Sequence, residues 1–80
     1  MVILIEEAEY RGDYKIHLSF SDGVTRLIDF EPFLSGALNP MTRKYLDKEK
    51  FTEFKIEYGD LVWNDYEMCF PIWDLYKGEI

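Results

Sequence analysis

The segment Tyr14-Lys15-Ile16-His17-Leu18-Ser19-Phe20 alternates apolar and polar residues without a fault. Successive strand residues point to opposite faces of a sheet, so this period marks a β-strand with one face buried. Turn signals bracket it. Arg11-Gly12-Asp13 precedes it, and Ser21-Asp22-Gly23 follows it with an Asp-Gly pair suited to a hairpin. Upstream, Val2 to Tyr10 reads as a strand, and four successive apolar residues, Val2 to Ile5, predict burial on both of its faces. Downstream, Val24 to Phe30 reads as a third strand whose alternation is interrupted by Arg26 and Leu27. These three strands predict an antiparallel meander.

The pattern then changes from strand to helix signals. Glu31-Pro32 suits a helix start and Ser35-Gly36 its end. Asn39 as N-cap and Pro40 at the first helical position predict a second helix that runs to about Asp47. Met41, Tyr45 and Leu46 form its apolar stripe, and Lys48-Glu49-Lys50 reads as a turn. Phe54 to Tyr58 alternates again as a fourth strand, Gly59-Asp60 turns the chain, and Leu61-Val62-Trp63 begins a fifth. Asn64-Asp65 breaks or bulges that strand before Glu67 to Phe70. Pro71 and Gly78 mark the ends of a last helix, with Ile72, Leu75 and Tyr76 on one face. The expectation is one α+β domain over residues 1–80. Its small antiparallel sheet has four to five strands, an N-terminal meander plus a C-terminal hairpin, packed with two or three short helices.

A chain of 80 residues buries only about 60% of its unfolded surface, so its core must be rich. The aromatic content of 18% supplies that richness, because each ring can bury roughly 150–250 Å². A net charge of −7 opposes direct nucleic-acid binding, which needs lysine and arginine on phosphates, and disfavours an anionic membrane surface. No apolar run approaches the ~20 residues of a membrane span, and no signal peptide is evident. A single cysteine, Cys69, fits a reducing cytoplasm. The charge is uneven: residues 39–55 are mildly basic between two acidic segments. That distribution reads as solvated surface or as an acidic face steering a basic partner.

Few residues invite chemistry. His17 shares the polar face of its strand with Lys15 and Ser19, and no pattern supplies the nucleophile or orienting carboxylate that a catalytic histidine needs. Asp22, Asp29 and Glu31 do not match a calcium loop, and turn chemistry and chain capping account for the first two. One cysteine and one histidine make a poor zinc set. Arg11-Gly12-Asp13 resembles an adhesion tripeptide, but a hairpin turn explains it. Cys69, between Met68 and Phe70, reads as a buried inert thiol. Asp60, Asp65, Glu67 and Asp74 form an acidic end that lacks any partner motif for acid–base work. Trp73 is the most informative apolar residue: burial along the helix edge is favoured, with an exposed interface anchor as the other reading.

Several short motifs recur in an order that resembles a bacterial family catalogued as domain of unknown function 2442. They are Phe20-Ser21-Asp22-Gly23, Leu27-Ile28-Asp29-Phe30, Leu46-Asp47 before Phe51, Gly59-Asp60-Leu61-Val62-Trp63, and the closing Leu75-Tyr76. The chain departs from that pattern at Asn64-Asp65-Tyr66 and at Pro71-Ile72-Trp73-Asp74. The resemblance implies a compact α+β fold, no established activity, and an antitoxin-like or regulatory partner encoded nearby.

The expected role is therefore a non-enzymatic protein-interaction or regulatory module, an acidic half of a small two-protein system. The partner-binding candidates are Trp73, Tyr76, Asp74, Asp65 and Glu67, and neither metal nor cofactor is expected. A small-molecule sensor is the alternative. Homodimerisation through an open sheet edge is a further expectation.

Overall fold

The computed structural model describes residues 3–64, 66–78 and 80. Strand β1 (Ile5–Gly12), β2 (Lys15–Phe20) and β3 (Thr25–Asp29) form one antiparallel sheet in that order. Ile16, Leu18 and Phe20 of β2 face the core, while Lys15, His17 and Ser19 face outward, as the alternation requires. Two departures occur in this meander. The first turn lies at Asp13 and Tyr14, both in the left-handed region, so β1 runs through Gly12 and Tyr14 is not a strand residue. The four apolar residues at the start are not buried on both faces: Ile3 and Ile5 are buried, Leu4 is 42% exposed, and Val2 lies outside the described residues.

The interruption at Arg26 and Leu27 has a physical basis. Leu27 pairs with His17 on the outer face and stays exposed. Arg26 pairs with Leu18, on the inner side, but lies at the sheet edge and reaches the last helix. An edge position lets the guanidinium remain in water while its stem covers apolar surface.

Helix α1 (Glu31–Gly36) follows, with Asp29 Oδ1 accepting from the Glu31 N–H at 3.0 Å. Helix α2 (Pro40–Arg43) is capped by Asn39, whose Oδ1 accepts from the Met41 N–H at 2.9 Å. The predicted helix to Asp47 is not continuous. A 3₁₀ turn (Lys44–Leu46) follows α2, and Asp47 then caps a separate helix, α3 (Lys48–Phe51), where the sequence had suggested a turn. The break swings Tyr45 and Phe51 into the core, whereas Met41 stays exposed. A straight helix would carry these two aromatics about 600° apart, well off a common face.

A second sheet contains β4 (Lys55–Glu57), β5 (Asp60–Trp63) and β6 (Met68–Cys69), all antiparallel. The architecture is α+β as expected, but with two three-stranded sheets in place of one sheet of four to five strands. The sheets meet at a point: the Ile5 N–H donates to the Gly59 carbonyl at 2.9 Å. Strands of two to four residues cannot extend that contact into a ladder. Gly59 is required there. Its φ is +82°, and a Cβ would fall 2.5 Å from Leu4 Cδ2.

Trp63 holds the two sheets and the helices together. It is fully buried, its Nε1–H donates to the Phe51 carbonyl at 2.7 Å, and five rings surround it. Phe30, Phe51, Phe70, Phe54 and Tyr45 lie with centroids 5.6–6.4 Å from its own. Helix α4 (Ile72–Lys77) closes the core with Leu75 and ends at Gly78, with Pro71 as its N-cap.

Candidate functional site

Helix α4 carries the residues singled out for partner binding. Its inner side buries Leu75, and Ile72 and Tyr76 are half-buried, as their spacing requires. Trp73 is not wrapped along the helix edge: it is 49% exposed, which overturns the favoured expectation of burial. A helix of six residues offers too little neighbouring surface to cover an indole that projects away from the Leu75 side. Its ring instead stands edge-on against Tyr76, with centroids 5.5 Å apart.

Tyr76 is fixed on three sides. Its hydroxyl donates to Asp22 Oδ2 at 2.6 Å, its ring meets Phe20 at 5.1 Å, and the Arg26 guanidinium lies 5.7 Å from its centroid. Arg26 Nε also donates to the Tyr76 carbonyl at 2.8 Å. Asp22 Oδ1 meanwhile accepts from the Val24 N–H at 3.0 Å within its own turn. The Tyr76 hydroxyl and then the Val24 N–H hold the Asp22 carboxyl below its ordinary value. The same hydrogen bond, seen from the phenol, raises Tyr76. The clamp therefore presents Trp73 on a fixed support, a geometry suited to an interface anchor.

The other candidates lie apart from this pair. Asp74 is half-buried on α4, and Asp65 lies outside the described residues. Glu67 shares no hydrogen bond, ion pair or ring contact with Trp73 or Tyr76. Its carboxylate pairs with Lys44 Nζ and accepts from the Tyr45 hydroxyl at 2.7 Å. Lys44 first, then Tyr45, hold Glu67 below the usual carboxylate range. Burial first, then Glu67, push Tyr45 well above the ordinary tyrosine value. Beside this trio lies an open depression of about 160 Å³ lined by Lys44, Tyr45, Lys50, Glu53 and Asn64. Sites for drug-sized ligands run roughly 300–1,000 Å³ and are mostly apolar, whereas this lining is polar.

Cys69 is exposed, against the expectation of burial, because in β6 Met68 takes the inward position. Partial desolvation first, then the Asp60 carboxylate, push the thiol above its ordinary value, the opposite of an activated thiolate. His17 lies across from Glu9 on the outer face of the first sheet, with Leu27 on its other side. Asp22 and Asp29 each bond a backbone N–H two residues ahead. Among the described residues, no three His, Cys, Asp or Glu side chains group in a way that would hold a metal ion. No helix among them is long and apolar enough to cross a membrane.

The model of the family described as Protein of unknown function (DUF2442) matches residues 5–80. The chain belongs to this family. Searches of curated proteins and of solved structures returned no match. The segments that carry the resemblance fall on structural positions: Phe20-Ser21-Asp22-Gly23 is the β2–β3 turn, and Gly59 to Trp63 carries both the contact between the sheets and the central tryptophan. Neither the clamp from Arg26 to Tyr76 nor the centrality of Trp63 was read from the sequence. The unexplained Arg26 in an apolar position was the one signal of the former. The latter had no signal beyond the residue type.

Proposed function

We propose that this chain is a non-enzymatic protein-interaction module, the acidic half of a small two-protein system, and that Trp73 anchors its partner. The observation that carries this reading is a half-exposed tryptophan mounted on a tyrosine that Asp22, Phe20 and Arg26 hold in place. Exposed, rigidly supported tryptophan and tyrosine contribute much to binding at little entropic cost. The net charge of −7 steers encounter with a basic protein. Asp74 adds a carboxylate on the same helix. The reading places the protein in the cytoplasm, in contact with its partner and not directly with nucleic acid.

The test is purification of the tagged full chain from its native host, with Trp73→Ala in parallel. A basic protein retained at 1:1 stoichiometry by the native chain and lost from the variant, at unchanged far-UV circular dichroism, supports the reading. Absence of any stoichiometric companion overturns it.

A further inference from the structure

Strands β2 and β3 pair from Lys15↔Asp29 to Ser19↔Thr25 with no shift of register. The Phe30 N–H donates to the Tyr14 carbonyl and the Phe20 N–H to the Val24 carbonyl, both at 2.9 Å, which fixes the phase of the ladder. Bonded pairs recur at every second residue of an antiparallel ladder, so Arg26 and Ile28 turn their N–H and carbonyl groups toward β2. Thr25, Leu27 and Asp29 turn theirs to the open side. Among the described residues, no backbone group bonds them there, and the one contact is Arg26 Nη1 on the Thr25 carbonyl at 3.1 Å. All three residues are exposed, and Leu27 is 59% exposed on the outer face.

An open edge is a template for another strand. The opposite edge of this sheet is guarded by charge and irregularity: β1 carries Glu6, Glu7 and Glu9, shifts register near both ends, and meets the second sheet through the Ile5 N–H. Strand β3 has no such shift. Its one base, Arg26, balances its one acid, Asp29, within a chain of net charge −7.

We infer that the β3 edge joins a second copy of this chain, strand antiparallel to strand, so that the first sheet runs continuously through both copies. The residues of β3 select this occupant and its register. With Leu27 on the two-fold axis, Leu27 meets Leu27 of the second copy, Thr25 meets Asp29 and Arg26 meets Ile28, so no two like charges are opposed. The leucines cover each other, and every outward N–H and carbonyl of Thr25, Leu27 and Asp29 finds a partner. A carbonyl has two lone pairs, so that of Thr25 also keeps Arg26. Moving the axis to Arg26 opposes two guanidiniums, and moving it to Ile28 sets Leu27 against a carboxylate. The acidity of β1 does not prevent the contact. The β1 strands of the two copies lie five strand spacings apart, about 24 Å, beyond the screening length of about 8 Å. Trp73 takes no part in this ladder, so the inference stands independently of the reading above.

The test is sedimentation velocity on the full chain from micromolar to millimolar concentration, with amide hydrogen exchange followed residue by residue by NMR. The mass is expected to rise with concentration from 9.6 kDa toward twice that value. The N–H groups of Thr25, Leu27 and Asp29 should exchange more slowly in the concentrated sample, with those of β1 unchanged. Leu27→Lys opposes two ammonium groups at the axis and is expected to weaken association at least about tenfold, at unchanged far-UV circular dichroism. A chain that remains monomeric at millimolar concentration overturns the inference, whatever other protein binds the edge. A dimer whose slowed amides lie elsewhere overturns it too, as does one that Leu27→Lys leaves intact.

Discussion

Tyr14 and Tyr58 sit in the turns of the first and second sheets, both with left-handed backbones, at φ 62° and 52°. Tyr14 turns inward. Its ring meets Phe51 at 5.4 Å, its hydroxyl donates to the Leu46 carbonyl, and the Lys48 ammonium lies 5.9 Å from its face. Packing offsets the strain there and ties the first hairpin to the helical segment. Tyr58 turns outward, is 92% exposed, and among the described residues makes no hydrogen bond or ring contact to offset the same strain. A left-handed L-residue costs about 1–2 kcal/mol, so the two turns should respond with opposite sign to the same replacement.

The comparison breaks hardest at the point both regions share. Trp63→Ala removes the ring on which both sheets and the helices converge, and should cost about 3–5 kcal/mol by urea denaturation. Against the modest stability of a small domain, that leaves the chain largely unfolded at 37 °C. Gly59→Ala comes next. It forces a Cβ onto Leu4 at a positive φ, and a loss of about 2–3 kcal/mol is expected in the same assay. Tyr14→Asn suits the turn but forfeits the Phe51 and Leu46 contacts, for a net loss of roughly 2 kcal/mol. Tyr58→Asn, with nothing to forfeit, should stabilise by about 0.5–1 kcal/mol. Loss of stability at that position would remove the contrast between the two turns.

The smallest effect is a pH dependence. The folded state holds Asp22 below its ordinary value and so favours the ionised carboxylate. Its contribution is complete above the unfolded value of about 3.9 and is lost as the pH falls through the lower folded value. Tyr76 is raised, so its contribution is complete below about pH 10 and is lost as the pH rises through the higher folded value. Urea midpoints across pH should therefore decline at both extremes, and Tyr76→Phe should flatten both declines while leaving the intervening plateau level.

Much of the first sheet was legible because period-two alternation is a local property. Tyr14 to Phe20 showed β2 to within one residue, and Asn39-Pro40 showed the start of α2 through a cap that needs only neighbouring residues. The second sheet was less legible. Phe54 to Tyr58 alternates and marks β4, but β5 and β6 are too short for a period to develop, and β6 reads in sequence as the far part of a broken fifth strand. Lys48 to Lys50 reads as a polar turn in isolation, yet Asp47 caps a helical turn that places Phe51 beneath Trp63. Cys69 has apolar neighbours in sequence yet faces outward, since a two-residue strand still alternates.

Residue order alone established the α+β class, the antiparallel meander, the Asn39 cap and the resemblance to the family, because each depends on contacts within a few residues or on motif order. Tertiary structure alone decided that the strands divide between two sheets and that Trp63, not Trp73, lies at the centre. It also decided that Arg26 and Asp22 hold Tyr76 from 50 and 54 positions away in the chain. Which side chain a tryptophan or arginine meets across that distance depends on how layers pack, and packing leaves no periodic trace in the sequence.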